Sequence, residues 1–124
     1  MKICITAKEA SLDSEVDPRF GRCSYFIFVE IGKLGFEISA NNNSNESGGA
    51  GIQSGQLISE KGAEVVITGN VGPNAYDTLN AAGIKIITGA SGIVKDVITR
   101  YKKGELKPVE KPTVASHFGM KGGK

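Results

Sequence analysis

Apolar positions fall into short blocks separated by polar, glycine-rich stretches, and the period of each block predicts its element. Residues 2–7, KICITA, form a compact apolar run that predicts a strand, followed by a polar loop through Arg22. Residues 24–30 and 36–40 alternate instead, with Tyr25, Ile27 and Val29 on one face and Phe26, Phe28 and Glu30 on the other. With Gly32, Lys33 and Gly35 between them as turn material, they predict a hairpin whose second strand lies at a sheet edge. The stretch 41–51, NNNSNESGGAG, is too polar to pack a core and predicts a loop. A helix is expected over 52–61, with Leu57 and Ile58 facing inward and Gly62 as its terminator. Residues 64–68 and 84–88 are β-branched runs flanking a helix that has Pro73 in its first turn and Gly83 at its end. A last helix is expected from an N-cap at Ser91 to Lys103, with Ile93, Val94, Val97, Ile98 and Tyr101 as its apolar stripe.

Five strands and three helices in this order predict an α/β fold. A hairpin followed by right-handed β-α-β units implies a mixed sheet with helices on both faces and the second strand antiparallel to the rest. The phrases EVVITG and IKIITG suit two parallel strands buried on both sides. Residues 1–103 then make one domain, and 104–124, with little periodicity, are expected to be a flexible basic tail.

Charge narrows the partners. The 124-residue chain has formal charge +2, but residues 1–103 carry eleven Lys/Arg against eleven Asp/Glu, so the excess lies in the tail. A folded body without a basic field argues against nucleic acid. No apolar stretch approaches the ~20 residues of a membrane span, and no secretory leader is recognisable, so a cytoplasmic location without a membrane partner is the expectation.

The carboxyl ends of the parallel strands should share one rim, where open α/β sheets bind ligands. Three helices are expected to start there, each after glycine: GGAGIQSG with Gly49 and Gly51, GNVGPNA with Gly69, Asn70, Gly72 and Asn74, and GASGIV. Each glycine alone could serve a tight turn, but three convergent helix starts favour an anion. The loop DPRFGRC would add Arg19, Phe20, Gly21, Arg22 and Cys23. Cys23 beside Arg22 is the candidate reactive thiol, its pKa expected to be lowered by positive charge. Cys4, about three residues (roughly 10 Å) deeper along the paired strand, is expected to be a packing residue too distant for a disulfide. His117, in SHFGMKGGK, is the sole histidine and a candidate ligand. No P-loop or dinucleotide fingerprint is present, so no nucleotide cofactor is implied. Glu9, Asp13, Glu15 and Asp17 crowd the first loop, and keep open a metal-dependent hydrolase or phosphotransferase.

Three segments in order, MKICITA, DPRFGRCSYFIFVE and GAGIQSGQLISEKGAEVVITGNVGPNAYDTLNAAGIKII, resemble the dinitrogenase iron-molybdenum cofactor biosynthesis family, which includes NifX and the carboxyl-terminal domain of NifB. The resemblance implies a three-layer α/β/α, ribonuclease-H-like fold with sheet order 3-2-1-4-5. It also implies non-enzymatic binding or carriage of an anionic iron-sulfur cluster or an iron-molybdenum cofactor precursor, exchanged with cluster donor or acceptor proteins. Members commonly have HFGR where this chain has Arg19, Phe20, Gly21 and Arg22, so arginine replaces the imidazole at position 19. Cys23 and His117 are then the candidate metal ligands. The competing expectations are the hydrolase on the same scaffold and a plain protein-interaction module.

Overall fold

The structure, a computed structural model, describes residues 1–33, 35–42 and 50–109. Its elements are β1 (Lys2–Ala7), β2 (Tyr25–Glu30), β3 (Phe36–Ala40), α1 (Ala50–Glu60), β4 (Val65–Ile67), α2 (Pro73–Ala81), β5 (Lys85–Ile87) and α3 (Val94–Lys102). They form one five-stranded sheet of order β3-β2-β1-β4-β5. β2 runs antiparallel to β1 and β3, while β1 pairs parallel with β4 and β4 with β5. The fold class, strand order and direction thus agree with the sequence expectation, and β3 is an edge strand.

Alternation along each strand divides the core into two layers. Ile3, Ile5, Ile27, Val29, Val65, Ile67 and Ile87 pack on one face of the sheet against Val94, Val97 and Ile98 of α3. Cys4, Phe26, Phe28, Val66 and Ile86 point the other way, against Ile58 of α1 and Ala75 and Leu79 of α2. Burying a Leu-, Ile- or Phe-sized side chain contributes roughly 1.5–3 kcal/mol, so a one-residue slip of any central strand would forfeit several such terms at once.

Helices α1 and α2 lie against each other through small residues. A Cβ added at Gly51 would sit 2.9 Å from the Cβ of Ala75, and one at Gly55 would sit 2.8 Å from Cγ2 of Thr78. Close packing along successive turns therefore sets the second residue of α1 beside the third residue of α2, and the two helix starts share a rim.

Two expectations change. Ser91 does not cap α3: the cap is Ile93, in extended conformation and without a side-chain hydrogen bond. Gly92, at φ 94°, turns the chain so that carbonyls of the first loop reach the helix start instead. Residues 105–109, placed in the expected flexible tail, lie along β5: the Val109 N–H donates to the Ile86 carbonyl at 2.7 Å. Leu106 packs on the α3 layer and Val109 on the α1/α2 layer. This segment covers part of what would be an open sheet edge.

Replacing both Leu106 and Val109 by alanine is expected to lower unfolding free energy by about 1–3 kcal/mol. Urea titration followed by circular dichroism checks this, and an unchanged midpoint would mean that the segment adds no stability.

Candidate functional site

The rim is built by the first loop folding back on its own strand. Ser14 is buried, and its hydroxyl accepts the N–H groups of Lys8 and Glu9 at 3.1 and 2.9 Å while donating to the Glu15 carbonyl at 2.8 Å. Val16 N–H reaches the Gly92 carbonyl and Asp17 N–H the Thr6 carbonyl. The Thr6 hydroxyl, fully buried, lies 2.6 Å from the Asp17 carbonyl and 2.8 Å from the Thr68 hydroxyl. The ends of two neighbouring parallel strands are thus tied to one another and to the loop.

Past Asp17 the loop runs beside the β4–α2 turn. Asn70 N–H donates to the Pro18 carbonyl at 2.7 Å, and Phe20 N–H to the Asn70 carbonyl at 3.3 Å. This close approach requires glycine at 69, where a Cβ would lie 2.5 Å from the Cα of Pro18. Gly21 turns the chain at φ 89°. The buried amide of Asn41 then donates to the carbonyls of Gly21 and Cys23 at 3.1 and 2.8 Å. Phe20 is anchored beneath, its ring centroid 6.0 Å from that of Phe26.

Arg19 is two-thirds exposed, yet its backbone N–H, Nε and Nη2 all donate to the carboxylate of Asp17, at 3.0, 3.2 and 3.4 Å. Asp17 is 2% exposed, and this hydrogen bonding, with the negative charge behind it, raises the guanidinium pKa further and keeps the cation fixed at the rim. Arg22 is exposed and closes a turn through its N–H to the Arg19 carbonyl. Two residues after Asn70, α2 begins with Gly72 as an extended cap, Pro73 in the first turn and no side-chain cap, so the first-turn N–H groups of Asn74 and Ala75 have no acceptor within the helix. Asn70 and Asn74 are exposed here, and Gly72 is half-buried.

Two expectations about the site are corrected. The start of α3 does not join an anion pocket, because the Val94 and Lys95 N–H groups are taken by the carbonyls of Ser14 and Leu12 at 2.8 and 3.1 Å. Cys23 is not an activated thiol: it is fully buried beside Phe20 and Phe26, and desolvation, helped by the charge of Asp17, pushes its pKa up to about 12. Neighbouring Arg22 is exposed and does not reverse this shift. Cys4 is also buried, with its thiol pKa raised by desolvation. It stands opposite Phe28 in the strand register, five positions from Cys23 and farther than expected, and both thiols are free. Gly49 and His117 lie outside the described residues. Gly51 is half-buried at the start of α1, against Ala75.

The acidic loop does not assemble a metal centre. Asp13 pairs with Lys95 at 2.9 Å, Glu15 with Lys8 at 3.0 Å and Asp17 with Arg19. Among the described residues no group of three or more His, Cys, Asp or Glu side chains could hold a metal ion. Thr6, Thr68 and Asn41 are the structural residues that composition and spacing missed. The recurrence of Ile-Thr at the ends of ICIT, VVIT and KIIT is the signal by which two of them could have been found.

The fold and rim define a small α/β binding domain, in which backbone N–H groups and guanidinium charge face one edge of a mixed sheet. Residues 1–104 match the family described as "Dinitrogenase iron-molybdenum cofactor", and the chain belongs to that family. It is similar to the apo form of the orange protein from Desulfovibrio gigas, at 37% identity and a TM-score of 0.86, over 90% of this chain and 94% of that one. A protein from Thermotoga described as a putative NifB protein matches at 33% identity and a TM-score of 0.76, over 86% of this chain and 91% of that one. An uncharacterised protein from Methanocaldococcus jannaschii is 32% identical over 101 residues, 79% of this chain and 86% of its own length. No helix among the described residues is long and apolar enough to cross a membrane.

Both thiols are expected to resist a disulfide reagent in the folded protein at pH 8 and to react fully in denaturant; rapid native labelling of Cys23 would contradict its burial. Because the pKa of Cys23 is raised on folding from its usual value of 9.0 to about 12, its contribution to stability is complete below pH 9 and lost as pH rises toward 12. Denaturant midpoints measured upward from pH 8 should therefore fall, and Cys23→Ala should flatten that fall.

Gly69→Ala places a Cβ against the backbone of Pro18, so a loss of about 2–4 kcal/mol is expected. Hydrogen exchange should speed at Asn70 and Phe20 before it does at the central strands.

Proposed function

We propose that the protein binds and carries an anionic metal-sulfur species at the carboxyl rim, as cargo rather than as a substrate to be turned over. The observation that supports this most directly is the seating of the DPRFGR loop on the β4–α2 turn, which sets Arg19 against Asn70, two residues before the Gly72 cap of α2. A helix start contributes roughly 0.3–1 kcal/mol toward an exposed anion and more when water is excluded, and two arginines extend that field. Membership in a family described by the iron-molybdenum cofactor supports a metal-sulfur class for the cargo.

The donor set sets the manner of binding. Cys23 is buried and protonated, so the cargo is held by N–H groups and guanidinium charge around its anionic sulfur surface, without a thiolate bond from this residue. Such binding is reversible and weakens with salt, which suits a carrier that must hand its load on. Replacement of an imidazole by Arg19 fits the same mode, because a guanidinium donates hydrogen bonds and cannot ligate a metal at neutral pH.

Anaerobic titration with tetrathiomolybdate tests the reading. A saturable change in its visible absorption is expected, weakened about tenfold by the double variant Arg19→Glu, Arg22→Glu and by added salt, and retained in Cys23→Ala. Inorganic phosphate as competitor separates preference for a metal-sulfur anion from general anion binding. If the chromophore vanishes in Cys23→Ala and persists in the arginine variant, binding through rim charge is wrong.

A further inference from the structure

The opposite rim of the sheet carries a cleft of about 430 Å³, at the amino ends of β1, β4 and β5 and beside the end of α3. Its walls are apolar: Met1, Ile31, Ile87, Leu106 and Pro108, with Tyr101 donating its hydroxyl to the Met1 sulfur at 3.2 Å. Three lysines, Lys85, Lys102 and Lys107, share the lining with Val65 and Gly104, and no acidic side chain among the described residues joins them. None of the three forms an ion pair with a described residue, whereas Lys8, Lys61 and Lys95 all do.

Two nearby sources of negative charge are already neutralised. The carboxylate of Glu30 is paired at 2.7 Å with the amino terminus of Met1. The carbonyls at the end of α3 accept from the chain that follows it: Thr99 from Lys103, Tyr101 from Gly104 and Arg100 from Glu105. The cleft therefore combines apolar walls with cations that have no ion-pair partner among the described residues.

We propose that this cleft is a binding site for a small amphipathic anion, an apolar chain or ring bearing one carboxylate or sulfonate head. The volume falls in the ordinary range of small-ligand clefts, roughly 300–1,000 Å³. The apolar body lies against Ile31, Ile87 and Leu106, and the head meets Lys85, Lys102 and Lys107. Charge argues against the chain's own carboxyl-terminal residues as occupant, since 110–124 carry three lysines and one glutamate. Leu106, Lys107 and Pro108 belong to the segment seated on β5, so occupancy would also secure that segment. The site is independent of the carboxyl rim and stands or falls without the cargo reading.

The test is an NMR titration of the full chain with decanoate below its micelle concentration, alongside decylamine. Saturable shifts are expected at Ile31, Ile87 and Leu106, with no matching change at Asn70 and Phe20. Affinity should fall about tenfold in the double variant Lys85→Glu, Lys102→Glu, whose exposed sites leave folding intact, and decylamine should bind much more weakly. Equal binding of decanoate and decylamine, shifts confined to the other rim, or no saturation would each overturn the proposal.

Discussion

Everything at the carboxyl rim depends on the hydrogen-bonded seam between the first loop and the strand ends beneath it. Ordering a loop of this length costs about 1–2 kcal/mol per residue in backbone entropy, and each hydrogen bond returns only about 0.5–1.5 kcal/mol net. The seam holds because its polar groups are buried and mutually satisfied, and because apolar residues of the same loop go down with them. The Thr6 hydroxyl bonds to the Asp17 carbonyl and to the Thr68 hydroxyl, while Val16 and Phe20 enter opposite layers of the core. Glycine at 69 makes the contact sterically possible. Asp17 is the pivot: its backbone joins the loop to β1, and its carboxylate aims Arg19.

That arrangement explains how a body without net charge can still present a local positive field. Three of the loop's acidic residues are paired, Asp13 with Lys95, Glu15 with Lys8 and Asp17 with Arg19, beside an α2 start that has no side-chain cap. The Asp17 partner lowers the net charge at Arg19 but holds its donors in place. A fixed dipole or cation loses less reorganisation energy on meeting an anion than a free one, so preorganisation substitutes for magnitude.

The architecture was legible in the sequence because it rests on short-range patterns. Period-two alternation in 25–30 specified the hairpin faces, and Gly62, Gly83 and Gly104 end their helices with positive φ as their positions imply. What was hidden depends on contacts distant in the chain. Ser91 has the right chemistry for a cap, but carbonyls some eighty residues earlier occupy the α3 start, and only the fold brings Leu12 and Ser14 there. Cys23 adjoins Arg22 in sequence while facing the other way in space, so adjacency suggested activation where burial produces the reverse. Leu106 and Val109 show no helical or strand period because each serves a different layer of the core.

Strand direction divides the molecule into two chemically unlike rims. Helices entering after parallel strands start at the carboxyl rim, so backbone N–H groups are available there and an anion can be held by directional donors. At the amino rim the helices end, and their carbonyls would repel the same anion. An anion-compatible cleft at that rim must use side-chain cations and must have its carbonyls satisfied by other groups. The lysines beside α3, and the N–H groups of Lys103, Gly104 and Glu105 that occupy its last carbonyls, meet both conditions. Directional donors at one rim suit a compact polyanion, and flexible lysines over an apolar floor at the other suit a single acidic head with a hydrophobic body. The two preferences follow from the direction of the same strands.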